Sequence, residues 1–241
     1  MRTKSGLIAI SGISIAAAGL MAVLSTLLPS GGADADAINR VLPAPIADEA
    51  NANSPEKVVL AGGCFWGMQA VFEHVKGVTK VVAGYAGGSR ETATYDQVTT
   101  ETTGHAEAVE ITFDPKLVSL GTLLRVYFSV AHDPTELNRQ GPDEGSSYRS
   151  EVFAATPEQA RVTRDYIAQL ERVHAFAEPI VTRVEPLRGF YRAEEYHQDF
   201  LIKNPSHPYI VINDVPKLAA LKRLFPTIYR DTPARLASTG P

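Results

Sequence analysis

The chain has 241 residues, 44% hydrophobic and 21% charged, a composition that suits one substantial folded core and excludes collagen-like, disordered and many-span membrane classes. Lys and Arg total 23 against 27 Asp and Glu, a formal net charge of -4, which leaves no electrostatic footprint for nucleic acid. Cysteine occurs once, at Cys64, and tryptophan once, at Trp66, so an internal disulfide and a cysteine-rich metal site are both impossible.

Arg2 and Lys4 precede an apolar run from Leu7 to Leu28, followed by the small-residue sequence PSGGADADA. Residues 1–37 read as an export signal, or as an uncleaved N-terminal anchor, since a run of this length at about 1.5 Å per residue could cross a bilayer. Either reading places the remainder outside the cytosol, in the periplasm or extracellular space. Residues 38–56 are rich in Ala, Asn, Pro and acidic side chains, lack a sustained period and read as a linker. The folded domain is expected over 57–230, with 231–241 a loose tail.

Lys57 to Ala61 is a short β-branched run ended by Gly62 and Gly63, and predicts a strand. Met68, Val71, Phe72 and Val75 then recur with helical spacing, which puts Cys64 at a strand-to-helix turn. Val78 to Tyr85 and Ala106 to Phe113 predict two strands joined by a long polar loop. Leu120, Leu123, Leu124, Tyr127, Phe128 and Ala131 outline an amphipathic helix, followed by a second long loop from His132 to Ser147. Tyr148 to Ala155 predicts a strand. Thr156 caps a helix with Pro157 at its first position, and Val162, Tyr166, Leu170 and Val173 are expected to face inward. Pro179 to Val184 predicts a last strand, and the segment after Phe190 a short helix, a proline-punctuated wrap and a final helix near Pro216. The order β-α-β-β-α-β-α-β predicts a two-layer α/β (α+β) sandwich.

A thiol where a strand ends and a helix begins meets unpaired N–H groups and the positive end of the helix dipole, an arrangement expected to favour thiolate. Phe65 and Trp66 beside it read either as core aromatics or as the apolar wall of a pocket. The six histidines show no i, i+4 pair and no HExxH, so no metal site is expected. His105 and His197 are candidates for a supporting place near the site, not for catalysis.

GCFWG at 63–67, TGHAEA at 103–108, HDPT at 132–135 running on to NRQGPD at 138–143, and YRS at 148–150 together resemble the type A methionine-S-sulfoxide reductase family, from about Val58 to about Leu218. The resemblance implies a ferredoxin-like core with a long wrapping C-terminal segment, and reduction of methionine-S-sulfoxide, free or in proteins, to methionine. It implies Cys64 as nucleophile, Phe65 and Trp66 around the substrate methyl, and Glu107 as proton donor to the sulfoxide oxygen. It also implies Tyr95 and Tyr148 as hydrogen-bond partners of that oxygen, and Asp143 as an organiser of the site. The chemistry asks for such a set, because attack on the sulfur of a polarised S–O bond builds charge on oxygen unless a neutral acid protonates it.

Many relatives carry a recycling cysteine near the C-terminus after an Asn-Pro pair. Here NPSHPYI at 204–210 places Ile210 in that position. A Cys64 sulfenic acid must therefore be resolved by an external thiol, such as a thioredoxin-like protein, with no flavin, nicotinamide or metal in the cycle. A monomer is expected. Two other classes use the same features: a one-cysteine peroxidase, which would want an arginine near the thiol, and a non-enzymatic module that binds oxidised methionine.

Overall fold

In the computed structural model, residues 40–49 and 55–234 are described; the leader expected over 1–37 and most of the tail fall outside them. Strands buried on both faces build the central sheet. Strand β1 (Glu56–Ala61) enters helix α1 (Phe65–Glu73), followed by β2 (Val78–Ala86), β3 (Ala106–Phe113), helix α2 (Leu120–Val126) and β4 (Glu151–Ala154). After β4 come helix α3 (Pro157–Arg172), β5 (Arg183–Pro186), β6 (Phe190–Arg192) and helix α4 (Val215–Leu224). The sheet order is β5-β4-β1-β3-β2-β6, with only β4 and β5 parallel. Its inner four strands, in the order β4-β1-β3-β2 with α1 and α2 as crossovers, form the ferredoxin-like core.

One sheet face carries Val58, Leu60, Val81, Ala83, Tyr85, Val109, Ile111 and Phe113 into the main core, together with Met68, Leu123, Phe128 and Tyr166 from the helices. The opposite face carries Val59, Ala61, Ala86, Ala106, Ala108 and Phe153 under Leu187 and Phe190. The two-residue period of β3 therefore assigns Glu107 to the helix-facing side, where Tyr85 lies directly across from it on β2.

Several elements differ from expectation for local reasons. Helix α1 stops at Glu73, yet Val75 stays fully buried through a bridge to Tyr229. Val173 is not inward: α3 ends at Arg172 and Val173 is 53% exposed. The expected strand from Tyr148 begins only at Glu151, because Ser146–Tyr148 forms a 3₁₀ turn. The expected strand at Pro179 begins at Arg183. The final helix is preceded by a π-turn over Ile210–Asp214, and β6 adds an edge strand that the polar, aromatic FYR run did not signal.

The linker reading of 38–56 also changes. The Leu42 side chain is buried and its N–H donates to Ser129 Oγ (3.2 Å). Tyr166 O–H donates to the Pro43 carbonyl (2.8 Å), Gln169 brackets Ala44 and Ile46, and Gly121 N–H donates to Asp48 (2.9 Å). Apolar Leu42 and the backbone on either side of it thus dock on α2 and α3. At the other end Ala234 N–H donates to the Glu73 carbonyl (2.9 Å).

Candidate active site

Two glycines set the nucleophile's position. A Cβ on Gly62 would lie 2.8 Å from the His132 ring, and Gly63 has φ +86° with the Gln140 side chain against it, so both close approach and backbone conformation demand glycine. His132 is buried neutral, its pKa pushed down to about 3 by desolvation, and its ring bonds Ser150 Oγ (2.7 Å). The Gly63 N–H is bonded by the Tyr148 carbonyl (3.2 Å), which ties the cysteine turn to the Tyr148 turn.

Cys64 is the N-cap residue of α1 and is only 8% exposed. The helix start supplies the expected N–H, from Trp66, which favours thiolate. It does not prevail. Burial, followed by the nearby Glu107, Asp214 and Asp143 carboxyls, raises the Cys64 pKa well above its ordinary value, so the free site holds a thiol.

Glu107 is 3% exposed. Burial pushes its pKa up to about 8 against the opposing bond from Phe65 N–H (3.0 Å), with the Asp143 and Glu101 charges adding to the rise. It is a neutral acid at pH 7, within hydrogen-bond reach of the Cys64 thiol. Cys64, Phe65, Trp66, Tyr95, Glu107, Asp143, Tyr148, His207 and Tyr209 line one cavity of about 240 Å³. All seven residues expected to carry catalysis or substrate binding therefore meet there. Burial raises the Tyr95 and Tyr148 pKa values, which keeps both hydroxyls as neutral donors.

Each tyrosine rests on a carboxylate. Glu194 accepts from Tyr95 N–H (2.9 Å) and Tyr85 O–H (2.9 Å); burial pushes its pKa up, but these bonds outweigh burial and hold it below the usual range. Glu101, with φ +62°, accepts from Ser147 N–H (2.8 Å), Ser147 O–H (2.6 Å) and Ser146 O–H (3.1 Å). That clamp shapes the 3₁₀ turn that carries Tyr148.

Trp66 stacks on Phe200 with ring centres 3.7 Å apart and donates its indole N–H to His197 Nδ1 (3.1 Å). His197 is buried, its pKa lowered by desolvation, and also packs on Phe65 and Tyr95. It supports the aromatic wall. His105 does not reach the cavity: it accepts from Gly88 N–H (3.2 Å) and bonds the Ser89 carbonyl (2.8 Å), so it pins the loop after β2.

Tyr209 and Asp143 are joined by a hydrogen bond from the Tyr209 hydroxyl. Sequence reasoning missed Tyr209, Glu101 and Glu194. Tyr209 adjoins the position at which only the absent recycling cysteine was sought, and the two glutamates lie in loops where periodicity carries no information. Among the described residues no cluster of His, Cys, Asp and Glu could hold a metal ion. The aromatic cavity has no arginine in its lining; Arg139 lines a neighbouring groove and donates to the Gly141 carbonyl (2.8 Å).

A thiol beside a neutral buried acid and two neutral hydroxyls, at the first turn of a helix on a two-layer α/β core, defines a thiol-dependent reductase of a polar oxygen-bearing group. The family model described as "Peptide methionine sulfoxide reductase" matches residues 56–227, and the chain belongs to that family, in its type A branch. It is 54% identical over 193 residues to "Peptide methionine sulfoxide reductase MsrA 2" of Mesorhizobium japonicum, covering 80% of this chain and 99% of that one. It is 49% identical to the protein of the same description from Synechocystis, over 78% of this chain and 89% of that one. The solved methionine sulfoxide reductase A of Corynebacterium diphtheriae superposes with a TM-score of 0.56 and 33% identity, covering 70% of this chain and 86% of that one. The chain thus reduces methionine S-sulfoxide to methionine, the activity of class EC 1.8.4.11, and acts in repair of oxidised proteins.

Proposed function

We propose that Cys64 performs this reduction as the sole enzyme thiol, with Glu107 as acid and Tyr95 and Tyr148 as donors to the sulfoxide oxygen. The observation that carries the reading is the gathering of a neutral acid, a thiol and two tyrosines around one small aromatic cavity. Phe65 and Trp66 hold the S-methyl end, favoured by sulfur-aromatic contact. Cys64 Sγ attacks the sulfoxide sulfur, Glu107 protonates the oxygen and the thiol proton restores Glu107. The hydroxyl oxygen then passes from the substrate sulfur to Sγ: the Sγ–O bond forms as the Sγ–S bond and the substrate S–O bond break, methionine leaves with the electron pair, and Cys64 is left as a sulfenic acid. Asp143, bonded by Tyr209, orders the cavity wall.

A sulfenic acid in a chain with one cysteine requires a reductant from outside. The reductant is a thiol, small or carried by a thioredoxin-like protein, and no other cofactor enters the cycle. The N-terminal apolar run directs the enzyme to an exported compartment, free or anchored, where it acts as a monomer. The test is an epimer-resolved assay with excess dithiothreitol: repeated turnover of the S but not the R form of N-acetyl-methionine sulfoxide, abolished in Cys64→Ser, supports the reading. Activity retained in Cys64→Ser, or rapid peroxide consumption without sulfoxide turnover, refutes it.

A further inference from the structure

Cys64 faces two cavities. Besides the aromatic one, it lines a larger groove of about 570 Å³. The two share Cys64, Asp143 and Tyr209, and the Tyr209–Asp143 hydrogen bond forms the bar between them. Glu107, Tyr95 and Tyr148 line only the aromatic side.

We propose that the groove bounded by Ile212, Asn213 and Lys217 is the route by which the reducing thiolate reaches Cys64, separate from the sulfoxide's cavity. The inference rests on the catalytic reading above and extends it to the second half of the cycle. Displacement at sulfur proceeds with the incoming sulfur aligned opposite the leaving group. The oxygen left on Cys64 lies among Glu107, Tyr95 and Tyr148, so the open approach away from that oxygen is the groove. The reductant sulfur bonds Cys64 Sγ while the Sγ–O bond breaks, and the oxygen departs as water with a proton from Glu107. A second thiol then attacks the reductant's sulfur in the mixed disulfide, which releases oxidised reductant and the Cys64 thiol, whose proton balance returns through solvent.

The groove carries charges of both signs, Asp133, Glu136 and Asp143 against Arg139 and Lys217. Its carboxylates are held in place: Asp133 accepts from Thr135, Glu136 accepts from Gln140 and the Gly141 N–H and pairs with Arg139 (3.3 Å), and Asp143 accepts from Tyr209. Lys217, with a side chain only 12% exposed, pairs with Asp214 at 3.6 Å, and its charge also reaches Asp143. Asp214 is itself 1% exposed, packed against Gly67 of α1, and neither of its oxygens has a hydrogen-bond partner. Ile212 stands 70% exposed at the groove and outside the aromatic cavity.

The test separates the two half-reactions in the full-length enzyme. Ile212→Tyr narrows the groove, and its single-turnover burst of methionine should match the wild type. Reduction of the preformed Cys64 sulfenic acid should slow at least 10-fold, measured with dithiothreitol and with a thioredoxin-type protein in separate arms. A loss in both arms makes the groove the route for any thiol, and a loss only in the protein arm makes it the route for a protein-borne one. Unchanged resolution in both arms overturns the proposal. As a second measurement on the wild type, N-acetyl-methionine held at concentrations that fill the aromatic cavity, verified by Trp66 fluorescence, should leave resolution by dithiothreitol unaltered; competition between them overturns separate routes. Absence of the burst in the wild type would instead refute the catalytic reading itself.

Discussion

The backbone N–H of Phe65 donates to Oε2 of Glu107 across 3.0 Å, so the turn that presents the nucleophile also grips the acid. That bond favours the carboxylate, but burial of Glu107 on β3 outweighs it and sets the pKa to about 8. The single-turnover rate should therefore fall as pH rises through about 8, where the donor loses its proton. Glu107→Gln should lower that rate by about 10²-fold or more and abolish this limb of the profile, as rapid-quench assays across pH would show.

The same burial has a stability signature in the same direction of pH. A carboxyl whose pKa is higher in the folded than in the unfolded chain stabilises relatively below about 4.5, and that contribution is lost as pH rises through the folded value of about 8. The loss is on the order of 5 kcal/mol. Glu107→Gln, which cannot ionise, should gain on the wild type in thermal midpoint between pH 5 and pH 9. A constant difference across that range would contradict burial as the cause.

Glu101 and Glu194 hold the two tyrosines from behind without lining the cavity. Glu101→Ala and Glu194→Ala should each lower kcat about 10-fold, through displacement of Tyr148 and Tyr95 respectively. Tyr148→Phe should then add little to Glu101→Ala. A double-mutant cycle reads this directly, since additive losses would mean that Glu101 does not act through Tyr148.

His197 accepts the only indole N–H in the chain. His197→Leu should raise KM about 10-fold with a smaller change in kcat, and shift Trp66 emission because the indole loses its acceptor. An altered kcat with unchanged KM would place His197 in the chemistry instead of in the aromatic wall.

The strand over Ala106–Phe113 was readable and emerges with the expected limits; the two-residue period puts Glu107 on the face of Val109, Ile111 and Phe113, toward the helices, although both faces of its first half are buried. Tyr148 was assigned to a strand because nothing local reports the Glu101 clamp, which comes from 46 residues away in the chain. Expected thiolate at Cys64 failed for a similar reason: a helix start is visible in the residue order, whereas burial and the approach of Asp143 and Asp214 arise from tertiary packing. The segment around Leu42 carries too few apolar residues for a periodic signal, although one leucine and a run of backbone hydrogen bonds suffice to dock it. The candidate site residues are legible in the joint motifs, whereas their supports, Tyr209, Glu101 and Glu194, are brought to them only by the fold.

The central claim, one enzyme thiol per cycle, is tested most directly by stoichiometry without reductant. Fully reduced enzyme mixed with excess S-epimer of N-acetyl-methionine sulfoxide should yield one methionine per Cys64, lose its one titratable thiol and gain one dimedone-reactive sulfenic acid. No methionine, or a yield that keeps rising with the thiol intact, would contradict the account.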